Sequence, residues 1–147
     1  MSDSDLMQLY SRRILALTTA IPHLGRLEVF DGTSMRRSPQ CGSSVTVFLT
    51  LKDGRIADFA QEVRACALGQ ASAAVLGGAV IGRSREEIAQ ARDALSAMLK
   101  QAGDPPAPPF AELETLVPAR EYPNRHTSIM LAWDATLEAW DKAVETT

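Results

Sequence analysis

The chain has 147 residues, 46% of them hydrophobic and 22% charged, which suits a soluble globular protein long enough for one core and too short for two, a single domain over 1–147. Its formal net charge is −3; with Arg12-Arg13 and Arg36-Arg37 as the densest basic clusters, it lacks the basic patch that phosphate neutralisation needs, so nucleic acid is not an expected partner. The two cysteines are too few for a secreted disulfide framework, and no basic start with an apolar run follows Met1, so a reduced, cytoplasmic setting is expected.

The first segment, Asp5 to Ile21, reads as an amphipathic helix. Leu6, Leu9, Tyr10, Ile14, Leu17 and Ile21 recur at helical spacing, and Pro22 closes it. Gly25 and Gly32 mark turns around a short strand, Leu27 to Phe30, and a loop follows to Ser43. Ser44 to Leu51 is a strand with Val45, Val47, Leu49 and Leu51 on one face and Thr46, Phe48 and Thr50 on the other. Asp53-Gly54 supplies the hairpin turn, and Ile56 to Val63 pairs back antiparallel.

After Cys66 the pattern becomes helical. Ala65 to Gly82 is uncharged and nearly long enough for a membrane span. It consists mostly of Ala, Gly and Ser with Gln70 inside, so a tightly packed helix from Ala67 to Val80 is expected and a membrane is not. Ser84 with Glu87 forms a capping box that opens a helix to Gln101. The proline-rich run from Gly103 to Pro109 is a loop. Phe110 to Val117 reads as a short helix and Asn124 to Val144 as the last one. In that helix Trp133 and Trp140 read as core, with an exposed partner contact as the alternative. This order predicts α+β: a small antiparallel sheet of about three strands packed against several helices.

The sequence holds no phosphate loop, no GxSxG and no HExxH. Its chemistry-bearing residues are Cys41, in a tight loop entering a strand, and Cys66, between a strand and a helix start. The positive end of a helix dipole favours thiolate, the form that ligates metal and attacks electrophiles. Free cysteines are also commonly buried as small hydrophobes, and the spacing alone leaves both readings open. A thiol–imidazole pair would need the fold to bring His126 to a cysteine.

Pro39-Gln40-Cys41-Gly42, then a hairpin, then Ala65-Cys66-Ala67-Leu68-Gly69-Gln70-Ala71-Ser72-Ala73 resemble the two cysteine segments of the IscU/SufU scaffold family, the NifU N-terminal-domain type. Ile21-Pro22-His23-Leu24-Gly25-Arg26-Leu27 is similar to the family's Pro-x-x-x-Gly-x-Leu turn, with one residue fewer between Pro22 and Gly25. Tyr122-Pro123-Asn124-Arg125-His126-Thr127-Ser128 with Leu131-Ala132-Trp133 resembles the SufU segment that holds the third cysteine. The long stretch from Cys66 to Ser128 accommodates the insertion that marks the SufU branch.

The resemblance implies an iron–sulfur cluster assembly protein, a scaffold or sulfur acceptor rather than an independent enzyme, with a SufS-like cysteine desulfurase as partner. It also implies a site where three cysteines and an aspartate hold zinc or an assembling cluster. This chain departs at two of the four positions: Ser43 stands at the aspartate position and Ser128 at the third cysteine. Serine hydroxyls are poor ligands beside thiolate and carboxylate. The expected site is therefore Cys41, Cys66, Ser43 and Ser128, with His126 as a candidate substitute, holding zinc or cluster weakly or not at all. Cys41 and Cys66 are expected to approach each other, since the hairpin between them returns the chain to its starting end. The alternative is a metal-free partner-binding protein on the same fold. The oligomeric state is not indicated.

Overall fold

The computed structural model describes residues 9–39 and 42–145. Cys41, and the Asp5–Gln8 part of the expected first helix, lie outside the described residues.

The described elements are helix α1 (Arg12–Thr18), strands β1 (Gly32–Arg37), β2 (Ser44–Lys52) and β3 (Arg55–Arg64), helices α2 (Ala67–Ala79) and α3 (Arg85–Lys100), two 3-10 helices (Ala111–Glu121 and Pro123–Arg125), and helix α4 (His126–Glu145). The strands form one antiparallel sheet in the order β1-β2-β3. This is the expected α+β architecture.

The hairpin forms as its turn dictates. Asp53 and Gly54 both have positive φ, 55° and 74°, the pairing that matches the strands' twist. On β2, Val45, Val47 and Leu49 are fully buried. Helix α4 lies across this inner face and packs against β1 and β2. The fit is close at Gly32, where a Cβ would stand 2.0 Å from the Ala139 carbonyl oxygen. Helix α2 is buried nearly all round, from Leu68 to Gly77, between α1 and α4. Helix α3 starts at the predicted capping box: Ser84 Oγ accepts from the Glu87 N–H, and the Glu87 carboxylate accepts from the Ser84 N–H. Those contacts, with Arg55 and Arg83 beside it, hold the Glu87 carboxyl below the ordinary range.

Three expectations need correction. The first strand is Gly32–Arg37, not Leu27–Phe30. Asp31 sets its place, because its N–H donates to Leu49 O and its carboxylate accepts from the Leu51 N–H. The 27–30 stretch has no strand partner; Phe30 instead packs edge-on against Phe48 at 5.3 Å. Helix α1 is shorter than its apolar periodicity. Ser11 caps its start, and the Thr18 and Thr19 hydroxyls take the carbonyls of Leu15 and Ala16, ending it before Pro22. The Phe110–Val117 helix is a 3-10 helix, Ala111–Glu121, with Pro118 inside; proline removes a donor that α-helical bonding would need. Both tryptophans are core, as read from the sequence, and the exposed-contact alternative falls away. Trp133 is fully buried and Trp140 is 6% exposed, and Phe110 packs edge-on against Trp133 at 5.0 Å.

Candidate functional site

Three elements end at one place. Ser43 immediately precedes β2, Cys66 is the N-cap of α2, and Ser128 lies in the first turn of α4. Ser128 Oγ donates to Ser43 Oγ at 3.1 Å. Cys66 Sγ lies 3.5 Å from Ser128 Oγ. Ser43 and Ser128 are buried, and Cys66 is partly exposed. The fold thus gathers residues far apart in the chain into one chain of polar contacts, with the sulfur at its open end.

The local sequence explains the convergence. The short β2–β3 hairpin returns β3 beside the start of β2, with Ser44 opposite Arg64. Just before β2, Ser38 N–H donates to Ser43 O and Gly42 N–H donates to Ser38 O, which holds Ser43 against the end of β1. Gln70 Nε2 donates to Ala65 O, fixing the entry to α2. One turn inward, Ser72 Oγ donates to Ile129 O at 2.7 Å and accepts from Trp133 Nε1 at 3.0 Å, locking α2 to α4.

Gly69 and Ser72 are site-positioning residues that sequence reasoning did not single out. A Cβ on Gly69 would lie 2.7 Å from Ser128 Oγ and 2.8 Å from Ala65 Cβ. Their visible signal was the run of small residues after Cys66. Gly69→Ala is expected to cost about 1–3 kcal/mol, the usual scale of overpacking. Adding Ser128→Ala should recover part of that loss. Urea unfolding of the two variants checks this, and a single variant as stable as wild type would contradict the close approach.

His126 does not join the cluster. It is buried, and its ring Nε2 donates to Ala119 O at 2.9 Å. That nitrogen is committed to the 3-10 helix, so it serves the packing of α4. The expected closeness of Cys41 and Cys66 falls outside the described residues.

The donors among the described residues do not by themselves make up a metal shell. Among the described residues no group of three or more His, Cys, Asp or Glu stands together. The cluster supplies one sulfur and two neutral hydroxyls already bonded to each other. Such a set can orient a proton toward or away from the Cys66 sulfur. It does not close a tetrahedral zinc shell by itself.

A model of the NifU-like N-terminal domain matches residues 9–140. The iron–sulfur cluster assembly scaffold protein IscU of Streptococcus pyogenes serotype M1 is 28% identical over 139 residues, covering 95% of this chain and 87% of that protein. IscU of Thermotoga maritima is 25% identical over 134 residues, covering 91% and 94%. Among solved structures, a nitrogen-fixing NifU-like protein (N-terminal) from Brucella abortus superposes with a TM-score of 0.94 at 39% identity, covering 97% of this chain and 99% of that one. A putative iron–sulfur cluster assembly scaffold protein for the SUF system from Fervidobacterium islandicum AW-1 shares the fold, with a TM-score of 0.80 at 22% identity, covering 90% and 96%.

Proposed function

The chain belongs to the NifU-like N-terminal domain family, and from that premise we propose that it is an iron–sulfur cluster assembly protein that handles sulfur on Cys41 and Cys66 and holds metal weakly. The observation that carries the reading is the meeting of Ser43, Cys66 and Ser128 within hydrogen-bonding reach. These are three of the four positions that ligate in the family pattern, and two of them carry hydroxyls. The thiols are what the chain keeps of that pattern. A thiolate can take sulfur from a persulfide by attacking its outer sulfur and releasing the donor's thiolate. The proposed sulfur donor is a cysteine desulfurase, and the proposed setting is the cytoplasm, where thiols stay reduced.

A second reading is favoured by one observation. Ser43 and Ser128 bond to each other while buried, so the described part of the site is satisfied without metal. On that reading the protein is a metal-free binding module on the assembly fold.

The two readings part on sulfur transfer. The protein is incubated without oxygen with a cysteine desulfurase and sulfur-labelled cysteine, then analysed by non-reducing mass spectrometry. We expect persulfide sulfur on the wild-type chain and loss of most of it in Cys41→Ala or Cys66→Ala. A wild-type chain that acquires no label would reject the assembly reading and leave the binding module.

A further inference from the structure

We infer that the outer face of the sheet is a docking trough for a partner-protein segment that carries carboxylates, with Arg37 and Arg64 as the pair that receives them. Arg37 stands opposite Ser44 on β2, and Ser44 stands opposite Arg64 on β3. Directly opposed residues share a face of the sheet. At a strand spacing of about 4.8 Å the two arginines are roughly 10 Å apart across β2. Both are exposed, and among the described residues neither side chain has a hydrogen bond or ion pair. The chain does not lack carboxylates to pair them. Arg13, Arg36, Arg55, Arg85 and Arg92 are each bridged to an acid, and the net charge is −3. Arg37 and Arg64 thus set two unpartnered guanidinium groups on either side of one strand, at the end of the sheet nearest Ser43 and Cys66.

Their surroundings favour a protein segment over a simple anion. The arginines line a trough of about 210 Å³ with Met35, Thr46 and Glu62; Glu62 itself is engaged by Arg26 at 3.4 Å. Through Thr46 the trough adjoins a second hollow of about 490 Å³, with Phe30 and Phe48 in its wall. Met35 is 50% exposed and Phe30 is 40% exposed. The sheet's other face is the one α4 covers. A segment with carboxylates at one end and an apolar side chain farther along matches this order of surfaces, whereas an inorganic anion would use only the arginines. The cationic end also adjoins the site: Arg37 abuts the loop that leads to Ser43, and Arg64 precedes Cys66 by two residues. A partner seated there is delivered to the sulfur.

The inference rests on the reading that this site works with a partner protein, and adds where that partner docks. The test measures calorimetric affinity of a cysteine desulfurase for the wild-type chain, for Arg37→Glu with Arg64→Glu, and for Arg37→Lys with Arg64→Lys, at low salt (about 50 mM) and high salt (about 300 mM), a span over which screening of exposed charges changes strongly. Both positions are exposed, so the variants should melt as wild type does. The glutamate pair is expected to weaken binding at least about tenfold at low salt and to remove most of the salt dependence, while the lysine pair keeps most of the affinity. Binding by wild type with equal affinity in the glutamate pair would overturn the docking inference and leave the functional reading standing. If wild type does not bind the desulfurase, the functional reading loses its partner. The docking inference is then decided by backbone NMR titration with an acetylated Glu-Glu-Gly-Leu-Leu peptide, its glutamine counterpart and inorganic phosphate. Shifts at Arg37, Arg64 and Met35 with the acidic peptide alone support it. No shifts, or equal shifts with phosphate, overturn it.

Discussion

Ser43→Asp combined with Ser128→Cys is expected to create a closed, high-affinity zinc site. Ligand atoms held about 2.0–2.3 Å from zinc in a tetrahedron lie roughly 3.3–3.8 Å from one another. The Ser43 and Ser128 hydroxyls stand 3.1 Å apart, and the Cys66 sulfur stands 3.5 Å from the Ser128 hydroxyl, so little movement is required. Four good ligands yield apparent zinc binding energies of about 10–16 kcal/mol. The double variant should therefore bind zinc orders of magnitude more tightly than wild type, with each single variant between them. Burial adds a second expectation. Ser43 is 4% exposed and Ser128 is 1% exposed, so a carboxylate placed at 43 without metal is costly. The metal-free double variant should melt below wild type, and the zinc-loaded form above it, because a ligand bound only to the folded state stabilises it. Competitive zinc titration and melting with and without zinc read both effects. Equal zinc affinity in all four proteins would show that these positions do not form a ligand set. Cys41→Ala in the double background should remove much of the gain, testing that residue as the fourth ligand.

Gly32→Ala is expected to be among the most destabilising single-methyl changes in the chain. The added Cβ would stand 2.0 Å from the Ala139 carbonyl oxygen and 2.9 Å from Ala143 Cβ. No rotamer relieves contact with backbone, so α4 must lift from β1, and the buried residues of α4 share the loss. A cost of about 3 kcal/mol, at the top of the ordinary range for overpacking, is expected. Gly78→Ala is the matched control. Gly78 is helical and exposed, with nothing within 4 Å of the place an added methyl would take, so alanine there should stabilise by about 0.5–1 kcal/mol. Opposite signs for one chemical change, read by urea unfolding, check the packing of α4 on the sheet. A neutral Gly32→Ala would contradict it.

Gly32 also shows where the sequence could and could not be read. As punctuation it signals a turn, which puts the strand before it. In the fold it opens β1, and its role is to let α4 approach, a long-range demand that leaves no local pattern. The β2–β3 hairpin, the capping box at Ser84 and the buried small-residue helix are legible because each rests on neighbours in sequence: alternation, an Asp-Gly turn, a three-residue spacing. The apolar period overextends helix α1 because it continues past the hydroxyls that end the helix. At the site, the motif resemblance names Ser43, Cys66 and Ser128, which meet. Imidazole chemistry adds His126 as a candidate substitute, and its Nε2 is taken by the Ala119 carbonyl, a bond to a segment that no spacing rule connects to it. Arg37 and Arg64 carry no joint signal in the sequence, since only the strand register sets them on either side of Ser44.

The central claim is that this chain keeps the assembly fold and its thiols while holding metal weakly. Zinc, iron and acid-labile sulfide content per chain, measured on protein purified without oxygen and dialysed extensively against EDTA, tests it most directly. The account predicts far less than one metal per chain after dialysis, with no retained sulfide. One zinc or one cluster per chain surviving that treatment would contradict it, and would mean that hydroxyls or residues beyond the described cluster complete a competent site.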